Sequence, residues 1–190
     1  TKMNYPSGIK KKITKDINYG NRGMSLESDI NISNEYYLIN DIAIIHKKPT
    51  PIRVCRVDYP SRLDAVIKEA YYKIPSTTDY NGIYKGKYID FDAKETLNKT
   101  SFPLSNLHEH QLLHMKRIIK HGGISFLIIK INSLYYLLDG NDIICFINDN
   151  DRKSIPYSYI KDKGYIIKEG IAPALDYIKV IDEIYFKEDK

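Results

Sequence analysis

From Ser76 to Thr96 the chain reads STTDYNGIYKGKYIDFDAKET, and this stretch restricts the fold more than any other. Its second half alternates. Ile89, Phe91 and Ala93 take one side of an extended strand, and Asp90, Asp92 and Lys94 take the other. A period of two suits a strand and not a helix, so the chain needs a sheet. Residues 83–95 are expected to form a hairpin about Lys85-Gly86. Asp92 and Lys94 then share one face, about 6.6 Å apart along the strand. Asp79 sits where the first strand begins, and antiparallel pairing can bring it alongside Asp92.

The flanking segments supply helices and further strands. Residues 1–23 are polar and basic, with Gly8, Gly20 and Gly23, and read as a flexible arm. Ser25 is placed to cap a helix whose Leu26, Ile30 and Tyr37 keep one face. Ile42–His46 reads as a short strand stopped by Pro49 and Pro51. Over 52–59 the alternation changes phase, which predicts a β-bulge or a twisted edge. Residues 63–73 fit a helix or a strand equally well. Ser105 is expected to cap a helix running to His121, with Lys116, Arg117 and Lys120 near its C-terminal end. Ile124–Ile131 and Leu134–Leu138 read as a second hairpin across Asn132-Ser133, and Ile143–Ile147 as a further strand. Residues 148–154 read as a charged loop, and Tyr177–Phe186 as a last helix. Helices interleaved with strands, without a repeat or a long linker, give a mixed α/β fold in one domain.

Composition narrows the class. Hydrophobic residues are 43% of the 190, and tyrosines number 17, which excludes an intrinsically disordered chain. The formal net charge of +5 permits a polyanionic partner without demanding one. No apolar run approaches the roughly 18 residues of a membrane span. The basic stretch Lys10–Lys15 leads into no apolar segment, so no secretory signal is expected. Cys55 and Cys145 form no CxxC pattern, and a reduced, cytoplasmic setting is the expectation. His108-Glu109-His110 tempts a zinc reading, but Leu112 stands where HExxH needs its second histidine. Gly82 and Gly86 are read as hairpin glycines rather than a phosphate-binding loop.

Two acids and a lysine at one sheet edge suit metal-assisted phosphodiester hydrolysis. Carboxylate oxygens hold a hard divalent ion, and an ammonium meets developing negative charge. The pattern D-x(n)-(D/E)-x-K is met by Asp79, Asp92 and Lys94. On spacing alone it is weak, because acid-x-Lys recurs by chance in a chain that is 28% charged.

The wider sequence makes the reading specific. STTDYNGIYKGKYIDFDAKETLNKTSFPL resembles the signature of the RecU-type Holliday junction resolvases, a bacterial branch of the PD-(D/E)xK nucleases. Flanking matches are Asn21-Arg22-Gly23-Met24, Tyr36-Tyr37-Leu38, His46–Pro51, Ile67–Tyr72, His110-Gln111 and Asp176-Tyr177. The likeness runs from about Tyr5-Pro6 to Ile184-Tyr185-Phe186.

The resemblance implies a restriction-endonuclease-like mixed β-sheet flanked by helices. It implies a basic arm over 1–23 and one nuclease domain over 24–190, with 52–76 projecting as a stalk. It further implies a homodimer, dependent on Mg²⁺ with Mn²⁺ as a substitute, that cuts four-way DNA junctions by symmetric nicks. The implied setting is the bacterial cytoplasm, with other recombination proteins as partners and no membrane. Carried over by position, Thr77, Asp79, Asp92 and Gln111 would hold the metal, and Lys94 would stabilise the transition state. Arg22, Lys47 and Arg62 match basic positions linked to DNA binding or catalysis. Tyr72 matches an aromatic stalk position, and Glu27 an acidic position able to support the site. The family usually carries Glu where this chain has Asp92, one methylene shorter, which bears on the metal's preferred geometry. A non-catalytic junction-binding protein on the same fold, or a general duplex or RNA nuclease, are the rival readings.

Overall fold

The computed structural model describes residues 25–61, 64–73 and 77–186. The arm over 1–23, with Arg22, lies outside the described residues, as do Arg62 and positions 74–76.

The hairpin forms as the alternation requires. Strands β4 (Tyr80–Tyr84) and β5 (Lys87–Glu95) pair antiparallel, with Tyr80 opposite Phe91. Lys85 and Gly86 take φ of 45° and 74°, the left-handed pair of a tight hairpin turn. Around this hairpin stands a six-stranded sheet in the order β1-β4-β5-β7-β8-β10. The outer members are β1 (Ile44–Lys47), β7 (Ile124–Ile131), β8 (Leu134–Asp139) and β10 (Tyr165–Ile167). Only β5 and β7 run parallel. Parallel neighbours need a crossover, and the segment holding α2 (Glu109–Lys120) supplies it.

Two apolar layers sandwich the sheet. On one face α1 (Leu26–Ile39) and α5 (Tyr177–Tyr185) bury Leu26, Ile30, Tyr37, Ile178 and Ile181 against Ile89, Phe91, Phe126 and Ile128. Phe91 stacks between Tyr80 and Phe126 at centroid distances of 4.9 and 4.7 Å. On the other face α2, α3 (Gly140–Asp149) and α4 (Tyr157–Lys163) close over Leu127, Ile129, Leu138, Met115 and Ile143. Strand β7 feeds both layers, which explains its nearly unbroken apolar run.

Several local expectations need correction. Ile143–Ile147 is helical, not extended. Asp139 caps α3 by accepting from the Asn141 amide at 2.7 Å, and Ile143, Phe146 and Ile147 then share a helical face toward the core. A short apolar run carries no period that separates these states. The charged loop shrinks accordingly to 150–153, between α3 and β9 (Ser154–Pro156), which pairs antiparallel with β6 (Ser101–Pro103). Ser105 lies in a 3₁₀ turn, Leu104–Asn106, and α2 begins only at Glu109. Helix α4 and strand β10 were not anticipated. Gly86 makes the turn, but Gly82 serves a different need. A Cβ there would lie 2.0 Å from the Ile44 carbonyl oxygen on β1.

The ambiguous segment is a strand. β2 (Ile52–Asp58) and β3 (Val66–Tyr72) pair with each other as a separate two-stranded ribbon, exposed along its whole length. The register slips about Cys55, where the phase change predicted a bulge.

Gly82→Ala should destabilise the protein by about 1–3 kcal/mol, the usual cost of overpacking. Chemical denaturation checks this, and Gly86→Ala, with open space around its Cβ, separates clash from φ strain.

Candidate active site

Strand β5 delivers Asp92 to the middle of the sheet, and α2 lies over its polar face. The carboxylate is therefore fully buried. Its Oδ2 accepts from the Lys94 ammonium at 2.9 Å and from the Gln111 amide nitrogen at 2.6 Å. Its Oδ1 accepts from the Ala93 backbone at 3.0 Å. Asp79, half-buried just before β4, lies close enough to act on it as a second acid. Burial, and then Asp79, push the Asp92 pKa up to about 7 against the opposing pull of Lys94.

Gln111 is the third residue of α2, and its Oε1 accepts from the His108 backbone at 3.1 Å. Its nitrogen end therefore faces Asp92. Ligation through Oε1 requires the amide to turn over and release both bonds. Thr77 is half-buried, with its hydroxyl 3.2 Å from the Lys48 ammonium.

Glu27, in the first turn of α1, forms an ion pair with Lys47 at the end of β1. Both are near the same site. The Tyr80 hydroxyl donates to the Glu27 carbonyl at 3.4 Å, and its pKa is raised by burial and then by Glu27, Asp79 and Asp92. The structure thus brings Lys94 and Gln111 onto Asp92 with Asp79 beside it, pairs Glu27 with Lys47, and ties Thr77 to Lys48. It does not bring in Tyr72, which ends the ribbon and is 85% exposed.

Sequence reasoning passed over a second cluster on the same strand face. Asp90, fully buried, pairs with Lys48 at 2.6 Å and with the His114 ring at 3.3 Å. Thr78 and Tyr88 also donate to it. The available signal was the even spacing of Asp90 and Asp92 on one strand face.

The residues that the resemblance carries over to the ion offer two carboxylates, a hydroxyl and an amide. No group of three or more His, Cys, Asp or Glu gathers as a metal site among the described residues. Oxygen donors of this kind fit a hard ion such as Mg²⁺. The raised pKa of Asp92 beside a second acid fits it as well, since a cation relieves the repulsion.

The profile of a family described as "Recombination protein U" matches residues 21–183. This chain belongs to the RecU family. The Holliday junction resolvase RecU of Geobacillus sp. (strain WCH70) is 58% identical over 89% of this chain and 87% of its own length. That of Bacillus cereus (strain G9842) is 53% identical over 97% and 95%, and that of Bacillus pumilus (strain SAFR-032) 51% over 97% and 91%. The RecU match spans α1, the β4–β5 hairpin and α2, so it includes every described residue of the candidate site.

The Asp92 shift has a measurable sign. Its folded pKa of about 7 exceeds the ordinary 3.8, so the folded state holds a proton that the unfolded state releases. The stability this gives is full below pH 3.8 and is lost as pH rises through about 7. Metal-free protein should therefore unfold more easily at pH 8 than at pH 5.5. Asp92→Asn should remove that difference, which denaturant titration in EDTA measures.

Proposed function

We propose that this chain is a Holliday junction resolvase, a homodimeric Mg²⁺-dependent endonuclease acting on four-way DNA in the bacterial cytoplasm. The observation that carries the reading is the buried Asp92, held by Lys94 and Gln111 with a second acid, Asp79, raising its pKa. Membership of the RecU family and the names of the relatives give the substrate.

Asp79 and Asp92 would hold the ion, with Thr77 and, after its amide turns, Gln111. The bound ion supplies a polarised phosphate and a water of lowered pKa. Asp92 must give up its proton first, so affinity for the ion rises with pH toward about 7. Lys94 is 21% exposed and reaches the edge of the site. Its ammonium binds Asp92 at rest and is positioned to neutralise charge on the scissile phosphate.

Lys47, Arg22 and Arg62 contact the phosphate backbone in this reading, with Lys47 held near the site by Glu27. The β2–β3 ribbon serves as the stalk. Its exposed Tyr72 stacks on an unpaired base at the junction centre, an interaction worth roughly 1–3 kcal/mol. A two-fold dimer sets two such sites on opposing strands of a nearly two-fold substrate. Binding rests on phosphates and junction shape more than on base edges.

Cleavage of a labelled four-way junction in Mg²⁺ tests this reading. Paired nicks on opposing strands, absent on linear duplex and with Asp79→Asn, are expected. Tight binding without cutting in Mg²⁺ or Mn²⁺ would instead leave a junction-binding protein. Lys94→Ala should keep junction affinity and lose about 10²–10³ in cleavage rate, as for other deleted charge stabilisers. Wild-type rates in that variant would remove Lys94 from the mechanism. Lys47→Ala and Arg22→Ala should each flatten the salt dependence of junction binding by about one unit.

A further inference from the structure

The cluster around Asp90 touches every segment that carries a metal-site residue. Lys48 has three ammonium hydrogens and three acceptors. These are Thr77 Oγ1 at 3.2 Å, Thr78 Oγ1 at 2.6 Å and Asp90 Oδ2 at 2.6 Å. Its backbone amide donates to the Asp79 carbonyl at 2.8 Å. One residue thus grips the 77–79 segment through its side chain and through its main chain.

Asp90 completes the arrangement. Its Oδ1 accepts from the Thr78 hydroxyl. Its Oδ2 also meets the Tyr88 hydroxyl at 3.1 Å and His114 Nε2 at 3.3 Å. Asp90 precedes Asp92 by two residues on β5, and His114 follows Gln111 by one turn on α2. Thr78 lies between Thr77 and Asp79. None of the cluster's own side chains is among the residues assigned to the ion, Thr77 apart. Asp90 is fully buried and the Lys48 side chain is 16% exposed, so phosphate contact is not the main use of this lysine. A buried pair of this kind is a poor source of stability, because desolvation offsets its attraction. Its geometric effect is the better reason for its presence.

We infer that Lys48, Thr78 and Asp90 form a positioning clamp that holds Asp79 against Asp92 at the separation a divalent ion requires. This rests on the metal-dependent nuclease reading and adds residues that set metal affinity without touching the ion. With the clamp loosened, the 77–79 segment can withdraw from β5. Each metal-binding event must then restore the order that the clamp supplies in advance.

The test is Mn²⁺ binding to the DNA-free protein by calorimetry, set beside the Mg²⁺ dependence of junction cleavage. Lys48→Met keeps the side-chain length and removes the three donors. Thr78→Val keeps the shape and removes the bridging hydroxyl, and it carries the test should Lys48→Met fail to fold. Each variant should weaken Mn²⁺ binding about tenfold, the usual scale for lost outer-shell partners. The Mg²⁺ concentration for half-maximal cleavage should rise in parallel, with most of the rate recovered at saturating Mg²⁺. Metal-free junction affinity should stay unchanged. Folded variants with wild-type Mn²⁺ affinity would overturn the inference, whatever their melting temperature. Weakened metal-free junction binding with unaltered Mn²⁺ affinity would also overturn it and make Lys48 a DNA contact. If the wild-type protein binds Mn²⁺ but cuts no junction, the proposed function fails while the clamp stands.

Discussion

Asp92 lies on a strand with neighbours on both sides and a helix over its polar face, so its carboxylate has no water to stabilise its charge. Much of the surrounding arrangement answers that desolvation. Lys94 comes from the same strand two residues on, and Gln111 descends from α2. Asp79 works against both by adding a second acid. The balance leaves a carboxyl whose pKa rises to about 7, a group receptive to an additional cation. A site that wants positive charge before any ligand arrives is suited to a divalent ion and to the chemistry that ion brings. The apolar layers on both faces keep the strand from shifting to relieve the strain of those charges.

How much of this was legible in the sequence depends on the range of each interaction. The β4–β5 hairpin was readable because its period, its turn and its acid spacing are all local. The bulge in β2 was readable from a phase change for the same reason. Helix α3 was misread because Ile143–Ile147 is too short to show a period and its cap, Asp139, belongs to the end of the preceding strand. The true start of α2 was missed because Ser105 is a better cap by residue type than His108. The chain needs the intervening 3₁₀ turn before the helix can descend on β5. Lys47 and Lys48 are adjacent, and only the three-dimensional register separates their roles. Lys47 reaches Glu27 near the surface, while Lys48 reaches inward to Asp90.

The two clusters on β5 have the same composition and opposite character. Each joins one buried aspartate, one lysine and one residue of α2. Two strand residues advance about 6.6 Å and three helix residues about 4.5 Å, so successive even positions on β5 can meet successive turns of α2. The difference lies in what else each acid meets. Asp90 receives Lys48, Thr78, Tyr88 and His114, all hydrogen-bond donors or rings able to donate. Asp92 receives Lys94, Gln111 and a backbone amide, and then another carboxyl group. A saturated carboxylate fixes structure, and an acid opposed by a second acid awaits a cation. With Asp90 two residues from Asp92 on one strand, the proposed clamp lets the saturated cluster set the geometry of Asp92 and Asp79.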